Sequence, residues 1–130
     1  MSFATVINCM DGRIQEPVIT FLKNRFNVAY IDSITEPGPN LILARNTDTS
    51  LINSITDRLT ISVEKHSSVG LAIVGHHDCA GNTAPKNEQI QHISEAIQHI
   101  HQKYPTLEII GLWVDENWIV HEVSGLIKYD

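Results

Sequence analysis

The chain has few cysteines, few aromatic residues and no long apolar run. Its 130 residues include 2 Cys and 6% aromatic residues. Two cysteines, Cys9 and Cys79, cannot form a disulfide framework, and in a reducing compartment such thiols more often ligate metal or do chemistry. A redox pair stays open, although no Cys-x-x-Cys is present, and two thiols fall short of the four that an iron–sulfur cluster wants. Basic residues are also scarce: 9 Lys and Arg against 15 Asp and Glu give a formal charge of -6. That leaves no electrostatic footprint for nucleic acid or an anionic membrane surface. The apolar runs, such as Leu71 to Val74 and Ile109 to Val114, are far below the roughly 18 residues of a spanning helix. No basic flank precedes the apolar stretch Phe3 to Ile7, so no secretory signal is expected and the cytoplasm is the default.

What remains is the composition of a folded α/β domain. Hydrophobic residues make up 42% and charged residues 18%. A chain this long buries roughly two-thirds of its unfolded surface without staples, so a metal here would be functional. Short β-branched runs alternate with stretches of helical period, which predicts a mostly parallel sheet flanked by helices in one three-layer domain over 1–130. Strands are expected at Phe3–Cys9, Val28–Ile34, Leu71–Gly75, Leu107–Val114 and Trp118–Val123. Helices are expected at Pro17–Phe26, Thr49–His66 and Asn87–Lys103, the last with Ile90, Ile93, Ile97 and Ile100 on one face. The turn-rich Glu36-Pro37-Gly38-Pro39-Asn40 precedes the short run Leu41 to Ala44. Asp115-Glu116-Asn117 reads as a hairpin turn.

Both cysteines lie in clusters where an expected buried strand ends. One cluster is Cys9-Met10-Asp11-Gly12-Arg13 and the other His76-His77-Asp78-Cys79. Parallel strands bring their C-terminal ends to one edge of a sheet, so clusters distant in the chain can meet there. Cys9, His76 and Cys79 then form the ligand set of a zinc site with three protein ligands and an open fourth position. Taken singly, His-x-x-Cys arises by chance and a buried Cys is often a small apolar residue. Asp11 and Arg13 read alone are an ordinary surface ion pair. His77 and Asp78 need not face the metal, His92, His99 and His101 fall off the apolar stripe onto a solvated face, and His66 and His121 have no evident partner. Trp113 and Trp118 read as core or interface anchors.

Together, Cys9-Met10-Asp11-Gly12-Arg13 and Gly75-His76-His77-Asp78-Cys79-Ala80-Gly81 resemble the Cys-x-Asp-x-Arg and His-x-x-Cys signatures of the β-class carbonic anhydrases. More loosely, Ala44-Arg45-Asn46 is similar to that family's Arg-Asn segment, and Tyr104-Pro105 to Val114 to its final strand. The resemblance implies zinc on Cys9, His76 and Cys79, with Asp11 and Arg13 as the dyad in which the arginine holds the carboxylate beside the metal-bound solvent. It implies reversible hydration of carbon dioxide to bicarbonate by a zinc-bound hydroxide, in a homodimer. Backbone N–H groups near Ala80 and Gly81 are the expected substrate contacts. The family's N-terminal arm and its glutamine have no counterpart in the eight residues before Cys9, Ala80 stands where a glycine is usual, Thr47-Asp48 replaces a segment carrying glycine, and Ile34 to Pro39 lacks an equivalent. Two other readings stay open: a carbonic anhydrase-like zinc protein without turnover, serving as sensor or interaction module, and a hydrolase of carbonyl sulfide or carbon disulfide. An Asp11-closed zinc site is likewise open.

Overall fold

A computed structural model describes residues 2–126; Met1 and residues 127–130 of the single domain expected over 1–130 lie outside the described residues. In chain order the elements are β1 (Phe3–Cys9), α1 (Gly12–Phe26), β2 (Tyr30–Glu36), α2 (Pro39–Arg45), α3 (Thr49–Thr60) with a π-helical turn at Ile61–Lys65, β3 (Gly70–His76), α4 (Lys86–Lys103), β4 (Glu108–Val114) and β5 (Val120–Leu126). The sheet runs β2-β1-β3-β4-β5, parallel throughout except for antiparallel β5. It is the α/β architecture the residue pattern predicts.

Apolar residues fill both faces of the three central strands, as helices on both sides of a parallel sheet require. On one face Ile7, Leu71, Ile73 and Ile109 pack with Ile55 and Leu59 of α3 and Ile93, Ile97 and Ile100 of α4. On the other, Val6, Ala72, Val74, Ile110 and Leu112 pack with Ile14, Val18 and Leu22 of α1. Each fully buried aliphatic side chain of this kind contributes about 1.5–3 kcal/mol.

Where element ends differ from expectation, side-chain and turn chemistry decide. Helix α1 starts at Gly12 rather than Pro17, because the Asp11 carboxylate accepts the Arg13 N–H at 2.9 Å and caps the helix there. Pro17 therefore sits inside the helix, without the N–H that would have bonded the Arg13 carbonyl. Strand β2 starts two residues late, since left-handed Asn27 ends α1 and the Val28 N–H still donates to Lys23. The run Leu41 to Ala44 is part of helix α2, opened by left-handed Gly38 and by Pro39 at its first position. On α4 the buried stripe is Gln89, Ile93, Ala96, Ile97 and Ile100; Ile90 is only half-buried.

The order 2-1-3 places the topological switch point between β1 and β3. The chain leaves β1 toward β2 on one side and returns to β3 on the other. Open α/β sheets bind ligands in the crevice that this reversal leaves at the carboxyl ends of the strands. Cys9 ends β1 and His76 ends β3.

Candidate metal centre

Three side chains converge on that crevice. Cys9 and Cys79 are free thiols, 4% and 6% exposed, with their sulfurs 3.9 Å apart, and His76 is 1% exposed. One donor atom from each lies within 4.8 Å of the other two, and among the described residues this is the one such group of three. His76 Nδ1 lies 2.7 Å from the His77 carbonyl and so donates to it. In the neutral imidazole that contact leaves the lone pair on Nε2, and Nε2 is buried with no hydrogen-bond partner. A buried nitrogen lone pair without a donor costs desolvation energy, so it implies a missing partner. Zinc bonded to two sulfurs at about 2.3 Å in a tetrahedron separates them by about 3.8 Å, close to the distance seen. The residues fit a metal ion.

Electrostatics lead to the same fit. The Cys79 thiol donates toward Cys9 and holds its sulfur well below the ordinary thiol range, against burial and with help from His76 and the Gly38 N–H. Cys79 is pushed up, first by its place as donor to Cys9 and then by burial. Burial depresses His76, but the Cys9 sulfur and the His77 carbonyl outweigh it and the net shift is upward. The two shifts run in opposite directions because each thiol sits against the other's charge. A divalent ion is what would ionise both.

Asp11 is not among the three clustered donors. Its carboxylate faces Arg13, with Oδ2 accepting from Nη2 at 2.7 Å and Oδ1 from Nε at 3.1 Å. Those bonds hold the carboxyl down at about 2. Arg13 is fixed in turn. Its guanidinium donates to the Asp78 carboxylate and carbonyl at 3.2 and 3.1 Å and lies 4.4 Å over the Trp118 ring. Asp78, unassigned from sequence, is thus a brace for Arg13, and its left-handed backbone at φ 57° sets up the contact. Trp118, also left-handed at φ 61°, is more than a packing anchor. Holding an aromatic residue there costs of order 1–3 kcal/mol, and the conformation places its ring against Arg13.

Two glycines build the wall of the crevice. A Cβ on Gly38 would lie 2.6 Å from the Gly81 carbonyl carbon, and one on Gly81 would lie 2.3 Å from that of Pro37. The Glu36 to Pro39 loop therefore packs backbone against backbone on the loop after Cys79, and its Gly38 N–H reaches the Cys9 sulfur. The Asn82 and Gly81 N–H groups serve Cys79 in the same way. Ala80 is exposed and Gly81 half-buried; both line a pocket of about 560 Å³ with Arg45, Asn82, His92 and Glu95. The three donor side chains are not part of that lining.

Sequence reasoning passes over a polar layer beneath the donors. Gln89 and Asn82 are nearly fully buried, and half-buried His92 meets Asn82 at 3.1 Å. Gln15 donates to the carbonyls of Cys9 and Asp11 at 2.8 and 2.9 Å. The signal available for Gln89 was its place four residues before Ile93, on the buried stripe. His66 and His121 do have partners, Asp32 at 2.6 Å and Asp115 at 2.7 Å.

The described chain is similar in fold to three solved carbonic anhydrases. Tetrameric β-carbonic anhydrases from Sordaria macrospora align at TM-score 0.55 and 13% identity, over 97% of this chain and 83% of theirs. Carbonic anhydrase from Glaciozyma antarctica aligns at TM-score 0.54 and 14% identity, over 92% and 80%. The β-carbonic anhydrase CafA of Aspergillus fumigatus aligns at TM-score 0.50 and 12% identity, over 92% and 74%. A sequence comparison with curated proteins gives no match. The sequence pattern of the family described as "Putative carbonic anhydrase" matches residues 1–124. With that match over nearly its whole length, the chain belongs to the putative carbonic anhydrase family, a divergent branch with the β-carbonic anhydrase fold.

Proposed function

We propose that this chain is a zinc-dependent carbonic anhydrase that reversibly hydrates carbon dioxide to bicarbonate. Cys9, His76 and Cys79 are its metal ligands in one domain spanning 1–130. The observation that carries this reading is the unpartnered, buried Nε2 of His76 facing a pair of free thiols at the switch point of the sheet. When bound there, zinc supplies hydroxide near neutral pH, because the cation lowers the pKa of coordinated water to about 7.

The chain's own residues do the rest. His76 is presented as a neutral donor by the His77 carbonyl on its Nδ1. Asp11 stays ionised, and because Oδ1 takes the Arg13 backbone N–H and Nε–H while Oδ2 takes Nη2–H, Oδ2 keeps a lone pair with which to accept the hydrogen bond of the attacking solvent and orient it. Arg13 prevents the carboxylate from turning away, and Asp78 and Trp118 hold Arg13. The substrate side is formed by Ala80 and Gly81, which line the pocket.

We further read the protein as a cytoplasmic homodimer. A reduced thiol pair suits that compartment, and no described helix is long and apolar enough to cross a membrane. Self-association is supported by the tetrameric state of the Sordaria macrospora enzymes. The deciding experiment is metal analysis coupled to stopped-flow carbon dioxide hydration, repeated with carbonyl sulfide. Near one zinc per chain with carbon dioxide turnover is expected. Zinc with neither activity would favour a non-catalytic protein, and turnover of carbonyl sulfide alone would favour a hydrolase.

A further inference from the structure

Gln89 is a polar side chain at a core position of α4, 2% exposed. Its whole amide is engaged by the segment that carries His76 and Cys79. Nε2 donates to the carbonyls of His76, Asn82 and Ala84, each at 3.1 Å, sharing two N–H groups among three acceptors. Oε1 accepts the His76 N–H at 3.3 Å and Asn40 Nδ2 at 3.4 Å. The bonded groups lie at both ends of the loop, so one side chain on a rigid helix sets the distance between its ends. Gly75 leaves the room for this: a Cβ there would lie 2.9 Å from Gln89 Oε1 and 2.8 Å from Asn40 Nδ2. Packing alone asks only for an apolar residue at this position, as Ile93, Ala96, Ile97 and Ile100 supply further along the stripe.

We propose that Gln89 is a positioning residue of the metal centre. By clamping the His76 to Ala84 loop it fixes the imidazole of His76 relative to the sulfur of Cys79, and so sets metal affinity and coordination geometry. This rests on the reading of Cys9, His76 and Cys79 as metal ligands. Outer-shell partners of metal ligands typically cost about 10–100-fold in metal affinity when removed.

The test compares the unsubstituted chain with Gln89→Met, which keeps the volume and removes the amide, and Gln89→Asn, which keeps an amide but retracts it by one methylene. Ile100→Val, on the same helix and far from the loop, serves as the control. Zinc affinity is read by competition with a chromophoric chelator, and geometry by the visible absorption of the cobalt(II)-loaded protein. Gln89→Met is expected to bind zinc about 10–100-fold more weakly with displaced cobalt bands, Gln89→Asn less so, and Ile100→Val as the unsubstituted chain does, even if it melts earlier. Unchanged zinc affinity and cobalt bands in Gln89→Asn overturn the proposal even where Gln89→Met does not fold. An equal loss of affinity in Ile100→Val also overturns it, since the effect would then follow global stability. Failure of the unsubstituted chain to bind either metal would defeat the metal-centre reading itself, before any variant is compared.

Discussion

Asp11→Asn separates two roles that one side chain combines. As the cap of α1, Asp11 accepts the Arg13 N–H through Oδ1 at 2.9 Å, and asparagine caps as well as aspartate does. The start of the helix should therefore survive, with little change in melting temperature. The other oxygen fares differently. Oδ2 accepts from Arg13 Nη2 at 2.7 Å, and an amide nitrogen there would set donor against donor, leaving Arg13 to the Nε–Oδ1 contact, Asp78 and Trp118. The charge that orients the attacking solvent is lost as well. A hydrogen bond to a charged group contributes about 1.5–3 kcal/mol. If that loss falls wholly in the transition state, turnover drops roughly 10–100-fold. Because the carboxyl titrates at about 2, the deficit should be constant across the neutral range instead of growing toward acid. Stopped-flow carbon dioxide hydration measures it, with zinc content determined on the same sample. An Asp11→Asn protein with full zinc and undiminished turnover would show that the carboxylate does not act on the attacking solvent.

Four other expectations follow from the same geometry. Cys79→Ser should lose most bound zinc, since a hydroxyl is a poor substitute for a thiolate ligand; full occupancy by metal analysis would remove Cys79 from the ligand set. Arg13→Met should raise the Asp11 carboxyl from about 2 toward its ordinary 3.8, as read by carboxyl-carbon NMR. The depressed value in the unsubstituted chain gives stability that is present above pH 3.8 and is lost as pH falls through about 2, so the variant should lose that acid-side margin; an unmoved titration would contradict the Asp11–Arg13 account. Gly81→Ala drives a Cβ to 2.3 Å from the Pro37 backbone, which cannot yield as a flexible side chain would, and should cost about 1–3 kcal/mol in urea unfolding. Light scattering should give a homodimer near twice the 14.5 kDa chain mass, and a monomer at micromolar concentration would end that proposal.

The central strands and the residues at their ends were legible in the residue pattern. A doubly covered parallel strand must be apolar almost throughout, so Phe3–Cys9 and Leu71–Gly75 stand out, and a Cys or His where such a run stops must sit at the edge of a sheet. Element ends were less readable, because one capping contact such as Asp11 to Arg13, or one left-handed residue such as Asn27, moves a boundary by several positions. The support of the site arises from packing between distant segments. Gln89 lies on the buried stripe of α4, but the groups its amide serves are set only when the loop carbonyls are folded over it, and Trp118 reads as packing until the β4–β5 hairpin brings its ring under Arg13. Gly38 and Gly81 have no local signature of their contact, since they lie 43 positions apart and meet only when β1 and β3 are neighbours. Periodicity records which residues an element buries. It carries no record of which distant backbone a polar side chain or a glycine will meet.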